Sequence, residues 1–195
     1  MLKDVIIIDD VISIENQIDL ETYFTTQPIP WNYVNAASPY EPPGVSAPNT
    51  FNYKQFVHLI YYEQINHVNQ TFPFFVPLLS AIPFEIEKLI MIKASMTVSD
   101  PNRPDKSYGK AHVDFVDPPE NLITCVYYTG DSDGDTVIFS NNNGVYTETQ
   151  RISPKRGRLI AFNGSTYHAG SCPSGSDPRI VVNFNFIPRI KNGQS

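Results

Sequence analysis

His112 and Asp114 stand two positions apart in GKAHVDF, residues 109–115 of a 195-residue chain that has only four histidines. In an extended segment alternate side chains point the same way, so these two project together while Val113 points opposite. An imidazole and a carboxylate so placed can chelate a metal, but that spacing also arises often by chance, and a metal needs more ligands. His58 and His67 lie nine positions apart in a stretch with helical periodicity. Two ligands on one helix stand three or four apart, so both read as ordinary surface or boundary histidines. His168, in NGSTYHAGSCPSG, closes a strand-like run at the start of a glycine-rich turn. Two histidines and one carboxylate form the facial triad that suits non-heme Fe(II), leaving three adjacent positions for a bidentate co-substrate and dioxygen.

Eleven positions beyond His168, Arg179 opens the run RIVVNFNF. Alternation puts Arg179, Val181, Asn183 and Asn185 on one face and Ile180, Val182, Phe184 and Phe186 on the other. The apolar face is core. The polar groups opposite are costly to bury without partners, so that face lines a polar cavity, where an arginine offers a planar fork for a carboxylate. In NLITCVYYTG, Thr124, Val126 and Tyr128 likewise share one face, and Tyr127 on the other reads as packing.

Positioning such a set takes a folded core. Hydrophobic residues make up 41% of the chain and charged residues 17%, which fits one packed domain over residues 1–195. The formal net charge of -6 argues against nucleic acid as a partner. No apolar run has a membrane-spanning length, and the acids in MLKDVIIIDDVISIENQ interrupt anything like a signal peptide, so the expected location is the cytoplasm. Cys125 and Cys172 are expected to stay reduced there. The oligomeric state is left open.

Residues 1–83 read as a strand (DVIIIDD), a helix (SIENQIDLETYFTT), a proline-rich loop, and two further helices. The first helix has Ser13 as N-cap, with Ile14, Ile18, Leu20 and Tyr23 expected on its buried side. The loop, residues 27–49, carries Trp31, Tyr33 and Tyr40 and serves either as a surface wrap or as a lid. Tyr53, Phe56, Val57, Ile60, Tyr61, Ile65 and Val68 then predict an amphipathic helix within 51–70, and FVPLLSAI a shorter one. From residue 84 to 190 the pattern becomes short β-rich runs separated by Gly, Asn, Asp and Pro clusters. The fold class expected is α+β, mainly β: a double-stranded β-helix, or jelly roll, with N-terminal helices packed on one sheet.

At these residues the sequence resembles the Fe(II)/2-oxoglutarate-dependent dioxygenases, in particular their prolyl-4-hydroxylase-like branch of short bacterial or phage type. The resemblance covers roughly residues 84–188, and its motifs come in the family's order. KAHVDF looks like the first two iron ligands, LITCVYYTGDSDGDTVIF like the strand and hairpin that follow, SPKRGRLIAFNGSTYHAGSCP like the segment with the distal histidine, and RIVVNFNF like the last barrel strand. It implies iron held by His112, Asp114 and His168, and Arg179 holding the distal carboxylate of 2-oxoglutarate. It implies Tyr128 bonded to that carboxylate with Thr136 nearby, and Asn183 and Asn185 beside the co-substrate or facing the substrate. It also implies dioxygen as co-substrate, stimulation by ascorbate, and the host's cytoplasm if the chain is phage-encoded.

The implied reaction hydroxylates a peptidyl residue, such as prolyl, a free amino acid or another small molecule, with release of succinate and carbon dioxide. Two alternatives stand beside it: a nucleic-acid base oxygenase, hinted at by Arg179 and Arg189 bracketing the last strand, and a catalytically silent jelly-roll binding module. The sequence departs from its relatives at Met96, where some have a tyrosine, at the insertion-like SDPNRPDKSYG that follows, and at Asn185, where some protein hydroxylases have a bulky aromatic. Asp114 disfavours the halogenase variant, which lacks that ligand.

Overall fold

The computed structural model describes residues 2, 4–34, 49–175 and 177–189. Its elements are β1 (Ile6–Ile8), α1 (Ile14–Thr26), β2 (Asn32–Val34), β3 (Gln55–Tyr62), β4 (His67–Val68), α2 (Val76–Ala81), β5 (Ile86–Thr97), β6 (Ile123–Tyr128), β7 (Thr136–Asn142), β8 (Val145–Ile152), β9 (Leu159–Asn163), β10 (Tyr167–Gly170) and β11 (Arg179–Pro188). An eight-stranded sheet runs β1-β9-β6-β11-β5-β3-β2, with β4 on β3, and a three-stranded sheet runs β10-β7-β8. All the pairings are antiparallel. This is the expected jelly roll. Among the described residues no helix is long and apolar enough to cross a membrane.

β11 sits at the centre of the large sheet, between β6 and β5, and its two faces do different work. Val182, Phe184 and Phe186 join Leu20 and Phe24 of α1 and Leu78 of α2 in the main core. The opposite face, Arg179, Val181, Asn183 and Asn185, looks toward the small sheet. Both sheets contribute to a second core there, with Val126, Tyr128 and Val181 from the large sheet and Ile138 and Ile152 from the small one.

The segment 51–70 is not a helix. It forms β3, a short 3-10 turn at Glu63–Ile65, and β4. QFVHLIYY is rich in β-branched and aromatic residues, which fit a pleated surface. Phe56 and His58 pair with Met96 and Ala94 on the core face of β5, and a bulge between Leu59 and Tyr61 then brings Tyr61 opposite Ile92. The bulge stretches the apolar spacing from two to three, which imitates a helical period. His58 is consequently buried, against the expectation of a surface or boundary position, with its ring on Trp31 at 6.2 Å between centroids. His67 is part-buried, with Nε2 3.3 Å from the Leu59 carbonyl.

α1 begins as expected, with Ser13 Oγ accepting from the Asn16 amide. Its buried side differs: Gln17, Leu20 and Phe24 face inward, while Ile14 and Ile18 are 54% and 46% exposed. Gln17 can be buried because its amide donates to the Ile12 carbonyl and to Asp10. Cys125 and Cys172 are both free. Of the loop 27–49, β2 pairs with β3, and residues 35–48, Tyr40 included, lie outside the described residues.

Candidate functional site

His112 lies in the connection between β5 and β6, and His168 lies in β10. Their backbones form a two-bond antiparallel bridge, with His112 N to His168 O at 3.0 Å and His168 N to His112 O at 2.9 Å. Each ring turns back on its own chain, Nδ1 lying 2.9 Å from the Lys110 carbonyl in His112 and 3.0 Å from the Thr166 carbonyl in His168. A carbonyl can only accept, so each Nδ1 carries a proton and Nε2 is the ring nitrogen left for a ligand. The ring centroids are 4.7 Å apart.

Asp114 completes the group. Its Oδ2 accepts from Asn185 Nδ2 at 2.8 Å and Thr124 Oγ1 at 3.3 Å, so β11 and β6 both aim the carboxylate. Oδ1 stays free for the site, 3.9 Å from His168 Nε2. One ligand atom from each of His112, Asp114 and His168 lies within 4.8 Å of the others, and among the described residues this is the group that can hold a metal. His168 Nε2 is buried without a hydrogen-bond partner. An orphaned imidazole nitrogen is costly unless something coordinates it.

The protonation states suit a cation. His112 is pushed down to about 4, by burial first and then by His168. Burial raises the Asp114 carboxyl, but His168, Lys93, His112 and the Asn185 amide more than reverse that and hold it at about 2. At neutral pH the site offers neutral His112 and a carboxylate, the forms that ligate metal. The residues fit divalent iron.

The metal group lies at one end of a cleft walled by Tyr53, Lys93, Ser95, Thr136, Arg179 and Asn183 among others. At the far end Arg179 is 4% exposed, with Nε donating to the Gly134 carbonyl at 2.7 Å and Nη2 to Thr136 Oγ1 at 2.7 Å. These bonds fix the fork and leave Nη1 for a ligand. Thr136 Oγ1 also accepts from the Tyr128 hydroxyl at 2.6 Å, which leaves its own hydrogen to point into the cleft. Tyr128, fully buried, thus stands behind Thr136.

Asn183 lines the cleft, whereas Asn185 is spent on Asp114 and on Thr124 Oγ1 at 2.9 Å. Met96 pairs with Ile180 and Phe56 and faces the helices, away from the cleft. Tyr53 and Lys93 are cleft residues that sequence reasoning missed. The Tyr53 hydroxyl donates to the Gly170 carbonyl at 2.8 Å, and burial raises it to about 12, so it stays neutral. A Cβ at Gly170 would sit 3.1 Å from that hydroxyl and 3.2 Å from Arg179 Nη1, which is why β10 ends there in glycine.

Residues 101–187 match the family model described as the 2OG-Fe(II) oxygenase superfamily. Similar solved structures include an oxidoreductase of the 2OG-Fe(II) oxygenase family from Burkholderia pseudomallei, 11% identical over 94% of this chain and 84% of that one, with a TM-score of 0.62. A prolyl-4-hydroxylase from Pseudomonas putida is 13% identical, covering 95% of this chain and 92% of that one at TM-score 0.56. A prolyl hydroxylase from Trichoplax adhaerens, in complex with a peptide fragment of the hypoxia inducible factor oxygen degradation domain, is 12% identical over 94% of this chain and 83% of that one at TM-score 0.60. At these identities the likeness is one of fold. A search of curated proteins found no match by sequence. The matched segment contains all three candidate ligands, Arg179 and the strands that aim them, so it is over the site itself that the chain is similar to the 2OG-Fe(II) oxygenase superfamily.

Proposed function

We propose that the protein hydroxylates a small molecule or an amino-acid residue, free or peptidyl. Iron(II) held by His112, Asp114 and His168, with 2-oxoglutarate and dioxygen as co-substrates, supplies oxidative decarboxylation to succinate and carbon dioxide coupled to C–H hydroxylation. The chain's own residues bind and orient. Arg179 Nη1 and the Thr136 hydroxyl take the distal carboxylate of 2-oxoglutarate, and Tyr128 keeps Thr136 turned toward it. Asn185 and Thr124 hold Asp114 to one oxygen, which keeps the other coordination positions open. Val126 and Val181 bring apolar surface to the cleft and keep water from its inner end.

The observation that carries this reading is the convergence of three ligand atoms at one end of a cleft with a tethered, buried arginine at the other. Nucleic acid is not supported as a substrate: Arg189 Nη1 is paired with Glu85 at 2.6 Å, and Arg179 is buried. The reading is tested by adding Fe(II) and 2-oxoglutarate without oxygen, which should produce a weak visible charge-transfer band. Succinate release is then screened over amino-acid, peptide and oligonucleotide pools. A folded, metal-loaded protein that shows no band refutes the reading.

A further inference from the structure

Lys93 is the second cation of the cleft, and nothing described so far uses it. On β5 it lies opposite Asn183 of β11 and Leu59 of β3, on the strand face that lines the cleft. Its charge reaches both His112 and Asp114. Among the described residues it makes no hydrogen bond or ion pair, although Lys88, on the same strand, pairs with Glu63. Arg179 and Asn183 are four residues apart on β11, so Lys93 enters the cleft roughly 13 Å along the strand from the arginine, toward the metal end.

The formal charges of a loaded site set the problem. Fe(II), the Asp114 carboxylate, the 2-oxoglutarate dianion and the Arg179 guanidinium cancel, and Lys93 leaves one positive charge over. An unpaired ammonium in a walled cleft beside a metal centre is costly, and one carboxylate neutralises it. A phosphate dianion would overshoot, facing a single ammonium. The neighbouring Ser95 and Asn183 are neutral and suit the remaining oxygens of a carboxylate.

We propose that Lys93 receives a free carboxylate of the prime substrate, which is therefore a small carboxylic acid. This rests on the function proposed above and narrows it: within a peptide chain only an aspartyl or glutamyl side chain carries such a group. The test uses protein loaded with paramagnetic Mn(II) and saturated with 2-oxoglutarate, and reads ¹⁹F relaxation of trifluoroacetate, trifluoroacetamide and monofluorophosphate. Trifluoroacetate should show saturable relaxation that weakens at least about tenfold in Lys93→Met and returns to within about threefold in Lys93→Arg, the scale of one lost ion pair. Trifluoroacetamide and monofluorophosphate should show little, and 2-oxoglutarate affinity should stay within about threefold in Lys93→Met. Equal binding of the amide or the phosphate overturns the proposal, as does a Lys93→Met protein that still binds trifluoroacetate. A tenfold loss of 2-oxoglutarate instead makes Lys93 a co-substrate ligand and also overturns it. If the wild type binds neither Mn(II) nor 2-oxoglutarate, the proposed function fails and this inference falls with it.

Discussion

Asn185 and Thr136 each act through a neighbour, and substitutions can separate their roles. Asn185→Ala removes the 2.8 Å bond to Asp114 and frees the carboxylate to turn. Loss of such an orienting partner costs about 10- to 100-fold in metal affinity, so Fe(II) or Zn(II) titration should weaken by that much while His112→Ala or His168→Ala abolishes binding. Thr136→Val keeps shape but removes the oxygen that accepts from Arg179 and Tyr128, and should weaken 2-oxoglutarate at least about tenfold in the charge-transfer titration, a loss of about 1.4 kcal/mol or more. Tyr128→Phe should cost less, because Thr136 keeps the arginine; a larger loss than Thr136→Val would show Tyr128 touching the co-substrate itself. At this scale the sequence was informative wherever alternation applied. One face of a strand placed Arg179 and Asn183 in the cleft, and the spacing of His112 and Asp114 put both on one side. Tyr53 and Lys93 stayed hidden because their places depend on β3 pairing with β5 and on loops closing over them, which one strand's pattern does not encode.

β1 is short, and its end is tied down by charge. Asp9 accepts from Arg158 Nε at 2.7 Å and pairs with Lys155 at 3.0 Å, holding β1 to the turn before β9. The hydrogen bond from Arg158, then that from Lys155, lowers the Asp9 carboxyl to about 2 from the ordinary 3.8. Because the folded value lies below the unfolded one, this stabilisation is present above about pH 4 and is lost as pH falls through 2. Asp9 is 38% exposed, so screening limits the pair: Asp9→Asn should lower stability by less than about 1 kcal/mol in urea at pH 7, with the difference disappearing near pH 2. In the same region Gly157 has φ +78°, and a Cβ there would meet the buried Gln17 amide at 2.5 Å. Gly157→Ala should therefore cost more than about 2 kcal/mol, from backbone and clash together, and Gln17→Ala in the same chain should recover part of it. The strands from β5 to β11 were legible because β-rich runs between turn residues have few other readings. The segment 51–70 was not, since a bulged strand and a helix share a three-residue apolar step, and α1 hid its buried side because Gln17 is satisfied by groups outside the helix.

The two sheets meet at the ligand triad, so ligand binding should be felt across the fold. His168 belongs to the small sheet through β10, and His112 is bound to it by the backbone bridge. Asp114 is held from the large sheet through Asn185 on β11 and Thr124 on β6. A metal at the three ligand atoms therefore joins the sheets at one edge, and a dicarboxylate reaching Arg179 adds a second tie through Gly134 and Thr136. Ligands at about 100 times their dissociation constants stabilise the folded state by about 2.7 kcal/mol. For a domain of this size that shifts the melting temperature by roughly 5–10 °C. Metal and 2-oxoglutarate together should exceed the sum of their separate shifts, because a chelating co-substrate needs the metal in place. Hydrogen exchange distinguishes this tie from general ligand stabilisation. The amides of His112 and His168, each bonded to the other's carbonyl, should slow more on metal binding than the amide of Tyr127 in the middle of the large sheet. Equal slowing at all three would mean that the metal stabilises the fold globally and that the bridge between the sheets does not open on its own.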